Sequence, residues 1–462
     1  MEKIVIFGLA RSNIAVINFL SKLDCKLQIH DDKKAAIDNI QNLPNITKCY
    51  DINDINWDGV SKLILSPGVP LYFPKPHKIV QLANHHKIQI ISDIEYFYHF
   101  FPKQNYIAVT GSNGKSTVTN LIAKIFANSK KKYDFGGNIG RAIFDMDILP
   151  ENSHYILELS SYQLDLIYQT KLKIAILLNI TPDHLERHGN FENYITSKKR
   201  IFQNQDQEDY AIIGVDNKET AKIYQELKED NDFKARLIAF SNRKILKDGF
   251  AIVNQIIYQD RKEIANLQEK ILIKGEHNLE NILASFIAAY LSGISIEIII
   301  KTIAQFTGLK HRMEFVRKID NVNFINDSKA TNLQSAIMAI KNFKNIYLIL
   351  GGKIKDDDFN LLQNYHKNIT KCYLIGDSSN ELYDILSDKI DCIKSVDLKS
   401  AIDQSYQDAK YHSGQSCDWE SNILLSPAAA SFDQWQDFEE RGQFFIDYVK
   451  NLKPRIGIIN RA

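Results

Sequence analysis

The stretch Tyr106-Ile-Ala-Val-Thr-Gly-Ser-Asn-Gly-Lys-Ser-Thr117 decides the fold of the central part of the chain. The apolar run at its start predicts a buried strand, and apolar residues recur at helical spacing after Lys115. A glycine-rich turn between a strand and a helix can direct backbone N–H groups and the positive helix end toward one phosphate. The turn is therefore predicted to bind a nucleotide, with Lys115 reaching the β and γ phosphates and Ser116 ligating Mg²⁺.

One residue of this stretch departs from the complete phosphate-binding motif, because Val109 stands where that motif has glycine. A glycine-rich turn before an ordinary helix therefore stays open as the alternative. The predicted phosphate-binding residues are Gly111, Ser112, Asn113, Gly114, Lys115, Ser116 and Thr117.

Composition narrows the class of protein. At 462 residues the chain is long enough for about three domains of typical size. Its formal net charge of +1 argues against the basic surface of a general nucleic-acid-binding protein. The 5 cysteines are scattered, which is typical of free thiols in a reducing cytoplasm. The sequence shows no signal peptide and no apolar run long enough for a membrane span, so we expect a soluble, cytoplasmic protein.

Residues 1–101 alternate predicted strands and helices, which indicates a parallel sheet of Rossmann-like topology. The turn at residues 8–13 keeps only the first glycine of a dinucleotide fingerprint, so the close pyrophosphate contact of a dehydrogenase is not expected. Asp31 follows the second strand, and Ser66 and Gly68 follow another. These groups are expected at one sheet edge, where a different nucleotide could bind.

Two nearly continuous apolar runs, residues 155–159 and 174–180, are typical of central parallel strands. Ligand sites of open α/β sheets lie at the carboxyl ends of such strands. Glu158 and His184 are therefore expected near the phosphate loop.

The remaining strand patterns complete the predicted architecture. Weaker strands at residues 209–274 predict a smaller side sheet within a central ATP-binding domain, residues 102–308. Residues 309–462 alternate strands and helices again, which predicts a second Rossmann-like domain. The sequence thus predicts an α/β protein of three domains, the first covering residues 1–101.

Two candidate metal ligands lie in the central domain. Glu158 stands in an apolar strand, and a buried carboxylate is costly unless it is paired or bound to a metal. Beside a nucleotide this pattern favours Mg²⁺ ligation, with a hydrogen-bonded structural glutamate as the alternative. His184 is the second candidate, although single histidines are more often structural.

A lysine pair lies further along the chain. Lys198 stands four residues after Tyr194 and three before Ile201, which places the three on one helical face. Lys199 is turned away from that face by about 100°. Lys198 is therefore the candidate that faces the site, and a solvated basic helix face is the alternative.

Two more constellations lie in the C-terminal domain. Arg312 suits a γ-phosphate because its guanidinium is always charged, and Asp327 could accept hydrogen bonds from ribose hydroxyls. A polar interdomain turn is the alternative for this pair. Lys355, Ser426 and Phe432 follow predicted strands, so a cation, a hydroxyl and an aromatic ring could converge on a small anionic substrate.

Several motifs follow one another in the order found in one enzyme family. They are Thr110-Gly-Ser-Asn-Gly-Lys-Ser-Thr117, Gly136-Gly-Asn-Ile-Gly140, Leu157-Glu-Leu-Ser-Ser161, Asp183-His184, His277-Asn-Leu-Glu-Asn281, His311-Arg312, Asn326-Asp-Ser-Lys-Ala-Thr-Asn332 and Leu425-Ser-Pro-Ala-Ala-Ala-Ser431. With them the chain resembles the Mur ligases over essentially its whole length. Individual motifs are shared with folylpolyglutamate synthases, whereas the last two point to the family member that adds D-glutamate.

The resemblance implies an ADP-forming ligase of peptidoglycan synthesis that joins D-glutamate to UDP-N-acetylmuramoyl-L-alanine. The γ-phosphoryl group of ATP would pass to the substrate carboxylate, and the amine of D-glutamate would then displace phosphate from the acyl phosphate. The alternatives are a related ligase with another amino acid or acceptor, a nucleotide-binding regulatory protein without catalysis, and a nicotinamide oxidoreductase. A monomer is expected.

The resemblance also implies residue roles. The catalytic residues would be Lys115, His184, Lys198, Arg312 and Lys355. Two Mg²⁺ sites would be held by Ser116, Glu158, His184 and Lys198, the last carrying a carbamate made with CO₂. The nucleotide would also contact Asn278, Asn281, Arg312 and Asp327. The UDP-muramoyl substrate would contact Arg11, Ser12, Asp31, Ser66, Gly68 and Asn138, and D-glutamate would contact Thr331, Lys355, Ser426 and Phe432. Closure of the C-terminal domain over the central one is expected to assemble the site.

Overall fold

The computed structural model describes residues 2–267, 271–273, 275–354, 358–413 and 420–452. The chain divides into two compact units, Met1–Phe306 and Thr307–Ala462. The first unit contains two sheets and the second contains one. Among the described residues, no helix is both long enough and apolar enough to cross a membrane.

The N-terminal sheet of the first unit is parallel throughout and runs in the order β3-β2-β1-β4-β5. Its strands are β1 (Glu2–Phe7), β2 (Cys25–His30), β3 (Ile46–Lys48), β4 (Val60–Leu65) and β5 (Gln89–Ile91). Its helices are α1 (Arg11–Leu20), α2 (Lys34–Asp38), α3 (Lys78–His85) and α4 (Asp93–Phe100). The alternation of strand and helix confirms the predicted Rossmann-like topology, to which the structure adds the short strand β3.

The central sheet of the first unit runs in the order β14-β13-β12-β11-β10-β9-β6-β8-β7. Its strands are β6 (Asn105–Thr110), β7 (Tyr133–Gly137), β8 (His154–Glu158), β9 (Ile174–Leu177), β10 (Tyr210–Gly214), β11 (Arg236–Ser241), β12 (Phe250–Val253), β13 (Ile256–Gln259) and β14 (Lys262–Asn266). Its helices are α5 (Lys115–Ala127), α6 (Ser161–Leu164), α7 (Leu185–His188), α8 (Phe191–Lys199), α9 (Lys218–Glu229), α10 (Glu276–Leu291) and α11 (Ile296–Ala304).

The strands expected in a smaller side sheet extend this central sheet. β10 pairs in parallel with β9, β11 and β12 continue in parallel, and β13 and β14 add an antiparallel meander. The apolar residues of β10 explain this placement, since a strand buried on both faces must lie inside a sheet.

A hydrophobic cluster contains residues of both sheets of the first unit. Phe97 of α4 packs edge-on against Phe144, with ring centroids 5.2 Å apart. Glu95 is completely buried and accepts hydrogen bonds from Thr170 N at 3.0 Å and Thr170 Oγ1 at 2.6 Å. These contacts explain why the two sheets form one compact unit, and the domain boundary after Phe101 stays a prediction.

The second unit is built on a sheet that runs in the order β15-β16-β20-β17-β18-β19. Its strands are β15 (Glu314–Ile319), β16 (Val322–Asn326), β17 (Ile346–Gly351), β18 (Ile369–Ile375), β19 (Cys392–Lys394) and β20 (Ser421–Leu425). Its helices are α12 (Leu333–Ile340), α13 (Ser379–Leu386), α14 (Leu398–Ser413) and α15 (Phe438–Asn451). β15 is antiparallel to β16 and the other pairs are parallel, so the loops after β16, β20 and β17 meet at one edge.

Candidate active site

The loop between β6 and α5 has a conformation that requires glycine. Gly111 has a φ of +155° and Gly114 a φ of +88°, and a Cβ at Gly114 would collide with the side chain of Asn281. Gly114 is also the N-cap of α5, so the helix begins at Lys115. The loop therefore precedes a helix N-terminus directly, which is the arrangement that binds phosphate.

Lys115 curls back over the loop that precedes it. Its Nζ donates hydrogen bonds to Gly111 O at 2.8 Å and to Ser112 O at 2.9 Å. Ser116 and Thr117 lie in the first turn of α5, where both are buried. A cation and two hydroxyl side chains are thus held at the position predicted for the phosphates of a nucleotide.

The segment after β9 is fastened to the phosphate loop. Asn179 Oδ1 accepts a hydrogen bond from Asn113 N at 2.9 Å, and Thr181 N donates to Ser112 Oγ at 2.9 Å. The segment then reaches His184, which has a left-handed backbone with a φ of 55° and lies 3.5 Å from a carboxylate oxygen of Asp183. Non-glycine residues held in this conformation are enriched at functional sites.

Glu158 ends β8 beside this loop and is only 3% exposed. Its Oε1 accepts a hydrogen bond from Asn138 Nδ2 at 2.8 Å, whereas Oε2 is buried and has no hydrogen-bond partner among the described residues. A buried carboxylate oxygen without a partner is costly, and hard cations such as Mg²⁺ prefer such oxygens. Glu158 therefore fits the role of a magnesium ligand.

Lys198 of α8 points into the same region and is 1% exposed. Its Nζ donates to Gly111 O at 2.9 Å and lies 4.7 Å from the centre of the Tyr194 ring. Burial, reinforced by Lys115, lowers the pKa of Lys198 well below its ordinary value, although Asp183 and Glu158 oppose the shift. The predicted inward orientation agrees with this burial.

Lys199 differs from its neighbour as helix geometry requires. Its side chain is 35% exposed, and its Nζ lies 2.6 Å from a carboxylate oxygen of Glu226 on α9. This surface ion pair lies on a different face of α8 from Lys198.

The donors available for a metal are mixed in type. In the part of the chain that the structure describes, no group of three or more His, Cys, Asp and Glu side chains is placed to hold a metal ion. A cation beside Glu158 would therefore need oxygens of other kinds, such as the Ser116 hydroxyl, phosphate oxygens or a carbamate on Lys198.

The predicted base-binding residues lie at the start of α10, which packs against α5. Asn281 is 3% exposed, and its Nδ2 donates to Asn278 Oδ1 at 3.3 Å. Between them in the chain, Glu280 accepts a hydrogen bond from Asn179 Nδ2 at 3.4 Å. Burial raises the pKa of Glu280 to about 7, against the effect of Asn179 and with a contribution from Asp216.

At the edge of the N-terminal sheet, the turn after β1 lacks the usual glycines but is held by side chains. Asn13 is completely buried, and its Nδ2 donates to Phe7 O at 2.9 Å and Gly8 O at 3.0 Å. Asp31 accepts hydrogen bonds from Leu9 N at 2.6 Å and Lys33 N at 2.8 Å. The departures from the glycine fingerprint thus leave an ordered turn.

The other predicted substrate residues of the first unit border this edge. Arg11 Nη2 lies 3.5 Å from the carbonyl oxygens of Gly137 and Asn138, so α1 reaches the loop after β7. Ser12 is in the first turn of α1, and Ser66 and Gly68 lie in the loop after β4. Nothing lies within 4 Å of the Cβ position at Gly68, so this glycine faces open space.

In the second unit, the carboxyl ends of β16 and β20 bring two predicted residues together. Asp327 accepts a hydrogen bond from Ser426 Oγ at 2.9 Å and another from Met313 N at 3.1 Å. Burial raises the pKa of Asp327 to about 7, although Ser426, Arg312 and Met313 oppose the shift.

The other predicted residues of the second unit lie in separate loops. Arg312 precedes Met313 in the turn before β15, Thr331 is half-buried, and Phe432 is 70% exposed. Lys355 lies outside the described residues.

Comparison with known proteins decides the family. Residues 109–289 match the Mur ligase middle domain, and residues 311–415 match the Mur ligase glutamate ligase domain. The chain is 39% identical over 455 residues to the UDP-N-acetylmuramoylalanine–D-glutamate ligase of Rickettsia bellii, covering 98% of both chains. It is 37% identical over 464 residues to the enzyme of that name from Phenylobacterium zucineum, covering 97% of this chain and 96% of the relative. The chain belongs to the Mur ligase family.

Solved structures of Mur ligases share this fold. The UDP-N-acetylmuramate-alanine ligase MurC of Thermotoga maritima aligns with a TM-score of 0.57 and 16% identity, covering 98% of this chain and 100% of that one. MurF of Acinetobacter baumannii aligns with a TM-score of 0.56 and 16% identity, covering 85% of each chain. At these identities the likeness concerns the fold.

Three charged residues of this Mur ligase that sequence reasoning missed lie close to the predicted site. Glu280 is the first of them. Its position in the chain between the predicted base-binding residues Asn278 and Asn281 could have indicated that it lies near the site. Asp93 is the second: it begins α4, is 2% exposed, and burial raises its pKa to about 6 against the influence of Arg11 and Ser12. An acidic residue at the start of a helix is ordinarily explained by its favourable interaction with the helix dipole. The neighbouring sequence therefore does not indicate that Asp93 is buried.

Arg187 of α7 is the third. Its guanidinium donates to Pro67 O at 3.2 Å and also to Val69 O, and it lies 5.1 Å from the centre of the Tyr162 ring. Tyr162 in turn packs against His184, with ring centroids 5.2 Å apart. Arg187 therefore connects the loop after β4 with the histidine segment, a link between residues too distant in sequence for periodicity to reveal.

Proposed function

We propose that this chain is an ADP-forming amide ligase that adds D-glutamate to UDP-N-acetylmuramoyl-L-alanine in peptidoglycan precursor synthesis. The observation that carries the proposal is identity of 37–39% over nearly the full length to ligases of that name. The site geometry supports the same chemistry. The phosphate loop lies beside the buried Lys198 and beside Glu158, whose Oε2 has no hydrogen-bond partner among the described residues.

The first chemical step activates a carboxylate. An oxygen of the L-alanine carboxylate attacks the γ-phosphorus of ATP, the bond to the β-phosphate oxygen breaks, and ADP leaves with the electron pair. Lys115 and the N-terminus of α5 hold the β- and γ-phosphates of ATP. Mg²⁺ bound by Ser116 and Glu158 would neutralise the charge that develops on the phosphate oxygens, and His184 would help to hold a second Mg²⁺.

The second step forms the amide. The amine of D-glutamate attacks the acyl carbon, the amine loses a proton to solvent, and the tetrahedral intermediate collapses with loss of phosphate. The residues assigned to D-glutamate, Thr331, Ser426 and Phe432, belong to loops of the second unit, and Lys355 is assigned with them. The UDP moiety is assigned to Arg11, Ser12, Asp31, Ser66 and Gly68, and the muramoyl group to Asn138.

Lys198 is assigned a carbamate. Its neutral amine attacks CO₂, a C–N bond forms, and the proton passes to solvent, which leaves a carboxylate on a long arm. The lowered pKa of Lys198 favours the reactive neutral amine. The product anion gains from nearby Lys115, and an anionic oxygen can ligate a cation where an ammonium cannot. A carbamate resonance in the carbon-13 NMR spectrum of the intact protein under carbon-13 bicarbonate, absent from Lys198→Ala, tests this assignment.

The test of the overall proposal is phosphate release from ATP and Mg²⁺ in the presence of UDP-N-acetylmuramoyl-L-alanine. D-glutamate, L-glutamate, L-alanine, L-lysine and no amino acid are compared. Release that requires both the muramoyl substrate and D-glutamate is the expected result. Equal release with another amino acid, or none with any of them while ATP still binds, contradicts the proposal. We assign the reaction to the cytoplasm. We also propose that the protein is a monomer, and light scattering tests this oligomeric state.

A further inference from the structure

Arg441 is the largest side chain among those that are almost completely buried, and it is 1% exposed. It lies in the first turn of α15, in the second unit. Within the described residues, no carboxylate forms an ion pair with it. Burial lowers its pKa to about 10, and Asp433 is the one group that opposes the shift. An arginine buried without an acidic partner is costly and calls for a reason.

The guanidinium lies where loops of the sheet edge meet. Arg441 Nε donates to Ser328 Oγ at 3.0 Å, and Nη2 donates to Ser328 O at 2.9 Å and Ala429 O at 3.1 Å. A Cβ built on Gly352 would stand 3.4 Å from Nη1, so the loop after β17 packs against the same group. One side chain thus contacts the loops after β16, β20 and β17.

These loops are also joined to one another. Lys353 and Ala430 exchange backbone hydrogen bonds of 2.9 and 3.0 Å, and Ser426 Oγ donates to Asp327 Oδ2 at 2.9 Å. A displacement of the guanidinium would therefore be passed to Ser426 and to the residues around Thr331. Both are residues that the proposed function assigns to D-glutamate.

The third nitrogen of the guanidinium has hydrogen-bonding capacity to spare. No described residue accepts a hydrogen bond from Arg441 Nη1, although Nε and Nη2 are both used. Among the residues that the structure describes, no carboxylate pairs with this positive charge, and Asp433 acts on it without a hydrogen bond. Glutamate carries two carboxylates, so such a charge attracts it more strongly than it attracts a neutral amino acid.

We infer that Arg441 is the positioning residue of the amino-acid site, fixing three loops through Ser328, Ala429 and Gly352 while supplying a positive charge that forms no ion pair among the described residues and so favours a dicarboxylic amino acid. The inference rests on the proposed function and adds to it a residue that touches the loops rather than the reacting atoms. Arg441 thus has a role distinct from that of the residues assigned to ATP, none of which lies on α15.

The chain offers a control arginine that lies on strand β15 and bonds to the same helix, α15. Arg317 of β15 donates to the carbonyl oxygens of Val449, Lys450 and Leu452 at 3.4, 2.8 and 3.0 Å, at the C-terminal end of α15. Like the loss of Arg441, replacing Arg317 with methionine removes three hydrogen bonds of an arginine, here all to carbonyl oxygens at this end of α15. It does so at the opposite end of the helix from Ser328 and Ala429.

The experiment compares wild type, Arg441→Met, Arg441→Lys and Arg317→Met. We expect Arg441→Met to raise the KM for D-glutamate at least tenfold and to change the KM values of ATP and the muramoyl nucleotide less than twofold. Arg441→Lys keeps the positive charge but loses the forked arrangement of N–H donors. Its KM for D-glutamate should therefore lie between the values of wild type and Arg441→Met. Arg317→Met should leave the KM for D-glutamate within twofold of wild type.

A partial reaction separates amino-acid binding from carboxylate activation. Without D-glutamate, hydroxylamine attacks the acyl phosphate, phosphate leaves, and a hydroxamate accumulates. Arg441→Met should form this hydroxamate at a rate within threefold of wild type. If Arg441→Met fails to fold, as a fall in Tm and loss of the circular dichroism spectrum would show, Arg441→Lys carries the same comparison with an expected severalfold rise in KM.

Three results overturn the inference. They are equal KM changes in Arg441→Met and Arg317→Met, loss of hydroxamate in Arg441→Met, and wild-type KM for D-glutamate in both Arg441 variants. The wild-type protein is assayed in parallel, because its activity distinguishes failure of the proposed function from failure of the inference about Arg441. Wild type that shows no product dependent on D-glutamate refutes the proposed function and the inference with it, whereas normal wild-type turnover with unaffected Arg441 variants refutes the inference alone.

Discussion

Replacing Glu158 with glutamine tests whether a buried carboxylate is a metal ligand or a structural group. Glu158 is 3% exposed, and only its Oε1 accepts a hydrogen bond, from Asn138 Nδ2 at 2.8 Å. Glutamine keeps that bond through its own carbonyl oxygen. The substitution exchanges only Oε2, the oxygen without a partner, for a neutral NH₂ group.

The expected change in stability follows from this geometry. The substitution removes a buried charge, at the cost of its attraction to Lys198, so the metal-free protein should gain up to about 2 kcal/mol in free energy of unfolding. Glu95→Gln is the matched control, because Glu95 is also buried but accepts hydrogen bonds from Gln169 N at 2.7 Å and from two groups of Thr170. That variant turns an NH₂ toward N–H donors and should lose about 2–4 kcal/mol.

The effect on activity should have the opposite sign. A Mg²⁺ ligand that stabilises transferred charge by about 4 kcal/mol corresponds to a loss of about 10³-fold in kcat/KM when it is removed. Urea unfolding with EDTA measures stability, phosphate release measures activity, and electron paramagnetic resonance of Mn²⁺ with ADP measures metal binding. A Glu158→Gln protein that loses stability as Glu95→Gln does, yet keeps kcat/KM within tenfold and binds Mn²⁺ normally, would refute the metal-ligand assignment.

Further predictions concern the residues around this carboxylate. Lys198→Ala should lose at least about 10³-fold in turnover while Lys199→Ala stays within about twofold, because only the former faces the phosphate loop; equal losses would contradict this. Arg187→Met should raise the KM for the muramoyl nucleotide about tenfold and leave that for ATP unchanged, since it frees the loop at residues 66–70; a rise in both would indicate a general defect. The raised pKa of Glu280, about 7, means that the folded protein keeps a proton that the unfolded chain loses near pH 4.5, so stability falls as pH rises through this window. Glu280→Gln should therefore show a smaller fall in urea midpoint between pH 5 and 8, and an unchanged slope would contradict this.

The sequence predicted the phosphate loop well because its signals are local. A strand, a glycine-rich turn and a helix start lie within twelve residues, and β6 and α5 have nearly the bounds that hydrophobic spacing indicated. The glycines are required for a reason that also operates locally, since Gly114 has a φ of +88°. Predictions of this kind need no knowledge of distant contacts.

Sheet membership was harder to predict than strand position. The strands between residues 209 and 274 were expected as a separate sheet, because nothing in their sequence states which partner they pair with. The structure joins β10 to β9 through pairs such as Ile212 with Ile176. The short strands β3 and β7 escaped prediction because each has few apolar residues. Pairing depends on long-range geometry, which hydrophobic period alone does not specify.

The same limit applies to charged residues in the site, although one of them left a signal. Lys198 was recognised because it shares a helical face with apolar neighbours, and the structure buries it. Arg441 stands four residues before Phe445 and eight before Val449, both completely buried, so the same spacing argument places it on the buried face of α15. A charged residue in phase with an apolar stripe must be paired, or must serve a site, because its burial is otherwise too costly. That reasoning identifies the residue from sequence, whereas the loops that receive its hydrogen bonds become known only when β16, β17 and β20 are seen side by side.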